Sequence, residues 1–95
     1  MLDDRNVTVS SWQYVEGGVW NRQFNTMAWN LVLDGNAGKD DVSIYAAPSQ
    51  ADDLSGLPTA YLDVGSGDLL RDETVAYASK LWASGVRAEL HVWPG

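Results

Sequence analysis

An α/β fold built on a strand, a helix and a second strand is what this 95-residue sequence predicts, and three observations carry the prediction. A mostly apolar run, Ala60-Tyr61-Leu62-Asp63-Val64, follows Pro58 and stops at Gly65-Ser66-Gly67. A helical pattern then occupies residues 71–84 and meets Gly85. Last, Val86, Ala88, Leu90 and Val92 alternate with Arg87, Glu89, His91 and Trp93.

Each element has its own physical reason. The first strand is short and nearly continuous in apolar residues, as strands buried on both faces of a parallel sheet are. In the helix, Val75, Ala78, Leu81 and Trp82 fall on one face, while Glu73 and Lys80 point elsewhere. Asp72 and Glu73 in its first turn oppose the positive end of the helix dipole. Gly85 suits the left-handed position that ends a helix. Strict alternation over 86–93 gives a strand with one dry and one wet face, as at a sheet edge. Short joins make the three a βαβ unit with a right-handed crossover.

Upstream, residues 1–48 carry Trp12, Tyr14, Trp20, Phe24, Trp29 and Tyr45 in a less regular pattern. Gly17-Gly18 and Gly35-Asn36-Ala37-Gly38 mark turns. One helix is expected over 20–33, where Phe24, Met27, Ala28 and Leu31 recur at helical spacing. Aromatics in irregular backbone suggest a lid; the plainer alternative is that they pack on the neighbouring sheet.

Composition narrows the function. Hydrophobic residues at 45% and charged residues at 20% are globular values and exclude disorder. Thirteen acids against six Lys and Arg give a net charge of −7, which repels phosphate backbones and anionic lipid, so no nucleic-acid partner is expected. There is no cysteine and a single histidine, so neither a thiolate nor a multi-histidine metal site is expected. No apolar run approaches the roughly 20 residues of a membrane span, and no basic-then-apolar leader follows Met1. The expected setting is the cytoplasm.

In open α/β sheets, sites lie beyond the carboxyl ends of the strands, which directs attention to Gly65-Ser66-Gly67-Asp68. A carboxylate at position 68 can orient and charge-stabilise an imidazole, or it can cap the following helix; composition and spacing favour the cap. Other motifs fail. A dinucleotide fingerprint needs glycine at Leu70, and a nucleophile elbow around Ser66 needs glycines at Val64 and Asp68. Gly38-Lys39 lacks the first glycine and the hydroxyl residue of a phosphate loop. Asn6-Val7-Thr8 is a glycosylation sequon of the kind that arises by chance. His91, in mid-strand on the wet face, reads as a solvated histidine.

The segment Leu57-Pro58-Thr59-Ala60-Tyr61-Leu62-Asp63-Val64-Gly65-Ser66-Gly67-Asp68-Leu69-Leu70-Arg71-Asp72-Glu73 resembles α/β-hydrolases of the hormone-sensitive-lipase-like esterase and lipase branch. So does its continuation through Val75-Ala76-Tyr77-Ala78, Gly85-Val86 and Glu89-Leu90-His91-Val92-Trp93-Pro94-Gly95. Met1-Leu2-Asp3-Asp4-Arg5, Tyr45-Ala46-Ala47-Pro48 and Asp53-Leu54-Ser55-Gly56 extend the likeness upstream.

The resemblance implies hydrolysis of small carboxylic esters by a Ser-His-Asp triad without a cofactor. It places the triad acid at Asp68 and gives Asp72 and Glu73 a structural, helix-starting role. Leu69 stands where many members have proline, and Thr74 where many have glycine. The family's Gly-Asp-Ser-Ala-Gly elbow and His-Gly-Gly loop lie before the stretch matched by Met1, and its catalytic histidine follows the final Pro-Gly. Residues 1–95 are therefore expected to be a C-terminal hydrolase fragment: 1–56 a strand end and lid-like connection, 57–95 the strand-helix-strand unit with the acid. Such a chain is expected to be inactive alone and to self-associate through its exposed sheet edge. The contrasting reading is a small acidic interaction module, without enzymatic function, in which Asp68 is only a cap.

Overall fold

The computed structural model describes residues 1–95. In chain order it holds α1 (Val9–Gln13), α2 (Arg22–Val32), a 3-10 turn (Pro48–Gln50), β1 (Ala60–Gly65), α3 (Arg71–Ala83) and β2 (Ala88–Trp93). β1 and β2 are parallel and adjacent, with Ala60 opposite Ala88 and Gly65 opposite Trp93. α3 joins them as the crossover, so the βαβ unit stands as the sequence predicts.

α3 ends as its sequence requires. Gly85 takes φ 79°, its N–H donates to Trp82 O (3.0 Å), and Val86 N–H donates to Leu81 O (2.9 Å). This Schellman pair satisfies carbonyls that the helix end would otherwise orphan. The core is small: Ala51, Leu54, Leu81 and Val86, with Ala60, Leu62, Tyr77 and Ala88 packed against it. The molecule measures 17 Å in its thin direction, which is one sheet and one layer of helix.

Two sequence expectations change here. β1 is not buried on both faces; Tyr61 and Asp63 are exposed, because α3 covers one side of the sheet only. On α3, Ala78 and Leu81 are buried as expected, but Trp82 is half exposed and Glu73 is 6% exposed. Trp82 stays outside because its Nε1 donates to Ala88 O (2.9 Å) at the sheet edge. Glu73 goes inside because Leu2 N–H donates to its Oε1 (2.8 Å).

The upstream half is fastened by polar groups. Thr8 caps α1 by accepting from Ser11 N–H (3.2 Å), and Asn21 caps α2 by accepting from Phe24 N–H (3.0 Å). Within α2 the buried residues are Asn25, 0% exposed, and Trp29, while Phe24, Met27 and Leu31 face outward. The aromatics of this region therefore do not pack on the sheet; of Trp12, Trp20, Phe24, Trp29 and Tyr45, only Trp29 is buried.

Asn25 Nδ2 donates to Asn6 Oδ1 (2.7 Å), Asn6 Nδ2 to Thr26 Oγ1 (2.9 Å), and Arg22 Nη1 to Asn6 O (2.8 Å). Asn6 serves all three from the left-handed region, at φ 55°. The sequon asparagine is thus committed to a structural network.

α1 is tied to α3 by a reciprocal exchange. Ser10 N–H donates to Asp72 Oδ2 (2.8 Å), and Asp72 N–H donates to Ser10 Oγ (3.1 Å). The same hydroxyl donates to Leu69 O (2.7 Å), and Ser10 is fully buried. Replacing it leaves an orphaned N–H and carbonyl away from water. Ser10→Ala should lower stability by about 1–3 kcal/mol, read as a reduced urea midpoint at unchanged slope.

Candidate active site at the strand ends

β1 ends in Gly65, and the chain turns through Ser66 and Gly67 to Asp68. Both strands hold this turn. Ser66 N–H donates to Trp93 O (2.7 Å) and Gly67 N–H to Gly95 O (2.9 Å). Arg71 Nη1 reaches back to Ser66 O (3.0 Å). A side chain at position 65 would collide with the Gly95 carbonyl, and one at 67 would crowd it at 3.3 Å. The alternate glycines let the stretch after β2 lie against the turn after β1.

Asp68 is half-buried in this arrangement. Its N–H donates to Gly65 O (3.2 Å), and its carbonyl accepts from Arg71 N–H (3.1 Å). Its Oδ1 accepts from Leu70 N–H (2.8 Å), an Asx turn that fixes the carboxylate before the helix begins. The helix cap itself is Leu70, which makes no side-chain bond. One carboxylate oxygen is therefore used locally, and Oδ2 takes no hydrogen bond within the chain.

Asp68 lines a cavity of about 400 Å³ with Gly65, Gly67, Gly95 and the upstream residues Gly18, Val19 and Trp20. On its other side a cavity of about 350 Å³ runs between β1 and Met1-Leu2. The sequence directed attention to the loop; it gave no sign that Gly18-Val19-Trp20 would cross it. The Gly17-Gly18 pair, both at positive φ, is the local signal that the chain turns sharply there.

The lone histidine is not brought to Asp68. His91 stacks on Trp93 (5.1 Å, 5°), and its Nε2 lies 3.1 Å from Glu89 Oε1 on the open face of the sheet. A half-buried carboxylate with one free oxygen, beside a cavity at the strand ends, can hold and charge-stabilise a cationic or N–H-bearing group placed there.

The carboxylates that position this helix have opposite electrostatics. Hydrogen bonding from Arg71, reinforced by Ser10 N–H, holds Asp72 below the usual aspartate range. Burial pushes Glu73 above the usual glutamate range, against the smaller pull of Leu2 N–H.

Comparison with known proteins places this geometry. A family model described as alpha/beta hydrolase fold matches residues 1–95. Esterase LipI of Mycobacterium tuberculosis (strain ATCC 25618 / H37Rv) is 44% identical over 45 residues, 47% of this chain and 14% of LipI. Among solved structures, a bacterial heroin esterase is 43% identical with a TM-score of 0.87, over 100% of this chain and 31% of its own. Esterase LipW from Mycobacterium marinum is 31% identical with a TM-score of 0.88, over 99% of this chain and 28% of its own. The chain thus spans less than a third of the length of each of these relatives.

The shifts of Asp72 and Glu73 give opposite acid limbs. Stability from Asp72 is present above its unfolded pKa near 3.8 and is lost as pH falls through the lowered folded value. For Glu73 it is complete below the unfolded value near 4.5 and is lost as pH rises through the raised folded value. Denaturant titrations from acid to neutral pH should show Glu73→Gln more stable than the parent at neutral pH and equal to it in acid. Asp72→Asn should be less stable at neutral pH, with the gap closing in acid.

Proposed function

This chain belongs to the α/β-hydrolase fold family, among relatives of the hormone-sensitive-lipase-like esterases, and on that premise we propose that it is the acid-bearing portion of a serine carboxylic-ester hydrolase with Asp68 as the triad acid. The observation that carries the reading is the position of Asp68: a carboxylate fixed by Leu70 N–H, at the carboxyl ends of two parallel strands, beside Gly95. In the family's motif a histidine follows the final Pro-Gly, here Pro94-Gly95. A histidine there can donate Nδ1–H to Asp68 and present Nε2 to a serine hydroxyl.

In that role Asp68 holds the imidazole in one tautomer and stabilises the imidazolium formed when the serine is deprotonated. Bond making to the ester carbonyl belongs to the serine, and the developing oxyanion is stabilised by backbone N–H donors. These 95 residues contain no Gly-x-Ser-x-Gly sequence, so on this reading they do not supply the nucleophile. The substrate class is small carboxylic esters, with no cofactor in the reaction. Leu69 and Thr74 leave the carboxylate untouched: Leu69 is 1% exposed in the interior, and Thr74 Oγ1 donates to Leu70 O (2.8 Å).

Two measurements test the proposal. The 95-residue chain alone should not hydrolyse p-nitrophenyl butyrate above the buffer rate. In a chimera where it replaces the matching third of the bacterial heroin esterase, p-nitrophenyl ester hydrolysis should return. Asp68→Asn should then reduce kcat by about 10⁴-fold, the scale set by loss of the correct histidine tautomer. A folded, active chimera indifferent to Asp68→Asn would refute the assignment.

A further inference from the structure

Gly65-Ser66-Gly67-Asp68 is a hydrogen-bonded β-turn, closed by Asp68 N–H on Gly65 O (3.2 Å). Its central peptide, between Ser66 and Gly67, has two orientations compatible with that closure. In one, the third residue of the turn has a negative φ; in the other, the peptide is reversed and the third residue takes a φ of about +80°. Glycine accepts both, so position 67 by itself selects neither. The structure holds one of them, with Gly67 outside the left-handed region.

Both sides of that peptide are bonded. Its N–H, on Gly67, donates to Gly95 O (2.9 Å), and its oxygen, on Ser66, accepts from Arg71 Nη1 (3.0 Å). Reversal would break both bonds. It would leave Asp68 N–H on Gly65 O and Leu70 N–H on Asp68 Oδ1. The carboxylate would keep its place, while Gly95 would lose its tie to the turn.

Arg71 is an unexpected residue for its position. It opens α3, where the positive end of the helix dipole disfavours a cation. All three guanidinium nitrogens are nonetheless bonded: Nε donates to Asp72 Oδ1 (2.8 Å), Nη2 to Gln13 Oε1 (2.9 Å) and Nη1 to Ser66 O. Asp72 offsets the charge at the helix start, and Gln13, the last residue of α1, holds the fork from the far side. A planar fork fixed at two corners aims its third at one point, which an ammonium on a flexible stem does not.

We propose that Arg71 is a positioning residue: it locks the Ser66–Gly67 peptide and so keeps the stretch after β2 in register with Asp68. The role rests on the reading of Asp68 as the triad acid, in which a histidine following Gly95 must meet the carboxylate. The lock also reaches the upstream half. Gln13 leads into the loop 15–21, closed at its base by Arg22 N–H on Tyr14 O (2.9 Å), and Gly18, Val19 and Trp20 of that loop line the cavity beside Asp68.

Amide exchange on the full chain reads the lock directly. Arg71→Gln should speed exchange of the Gly67 amide about tenfold, the scale of one net hydrogen bond, and leave the Val86 amide at the far end of α3 unchanged. In the heroin esterase chimera, the same substitution should lower kcat about tenfold and change KM less than about twofold. In an Asp68→Asn background it should cost almost nothing, because both residues act through one acid–imidazole pair. Should Arg71→Gln fail to fold, Arg71→Lys, which keeps the charge but not the fork, carries the same measurements. Unchanged Gly67 exchange in a folded variant overturns the lock, and equal losses of kcat in the two backgrounds overturn its link to Asp68. An active chimera indifferent to Asp68→Asn overturns the triad reading and the positioning role with it, an outcome told apart by that variant alone.

Discussion

The exchange of hydrogen bonds between Ser10 and Asp72 is the constraint on which the arrangement depends. It joins segments 62 residues apart and satisfies donors at the starts of two helices at once. With so few apolar side chains at the centre, the upstream half has little hydrophobic reason to stay in place. Asp72 holds α1, its neighbour Glu73 holds Leu2, and Ser10 also bonds the Leu69 carbonyl just before α3. The Asp-Glu pair therefore does more than start a helix. It brings Gly18-Val19-Trp20 to the strand ends, where they line an open cavity with Asp68.

At the site, position is set by backbone closeness. The missing side chains of Gly65 and Gly67 let the turn after β1 and the stretch after β2 share hydrogen bonds. Asp68 follows immediately and is pinned by its own Asx turn. A carboxylate fixed by three successive backbone constraints keeps its geometry without help from neighbouring charges.

Local rules made residues 57–95 legible. Period-two alternation, Gly85 and the apolar run after Pro58 each specify conformation within a few residues, and β1, α3 and β2 formed where those signals fell. The loop holding Asp68 could be singled out because strand ends are fixed by topology. The family match leaves no room for a module of unrelated ancestry.

What was not legible depended on partners distant in sequence. Glu73 is buried because Leu2 reaches it, and Trp82 is exposed because Ala88 offers it a carbonyl. Helical spacing at Phe24, Met27 and Leu31 located α2 but could not tell which side faces inward. Asn25 reversed it, since a carboxamide bonded to both Asn6 and Trp20 outcompetes an apolar stripe with no surface to cover.

That reversal has a thermal consequence. Apart from Trp29, α2 is attached through amides and a guanidinium, so its detachment carries a modest heat-capacity increment. The strand-helix-strand unit, closed over aliphatic side chains, melts with a larger one. The two halves then follow differently curved stability profiles. Cooling weakens the aliphatic half while leaving the polar attachment nearly as strong, so the order of unfolding in the cold need not be that in the heat.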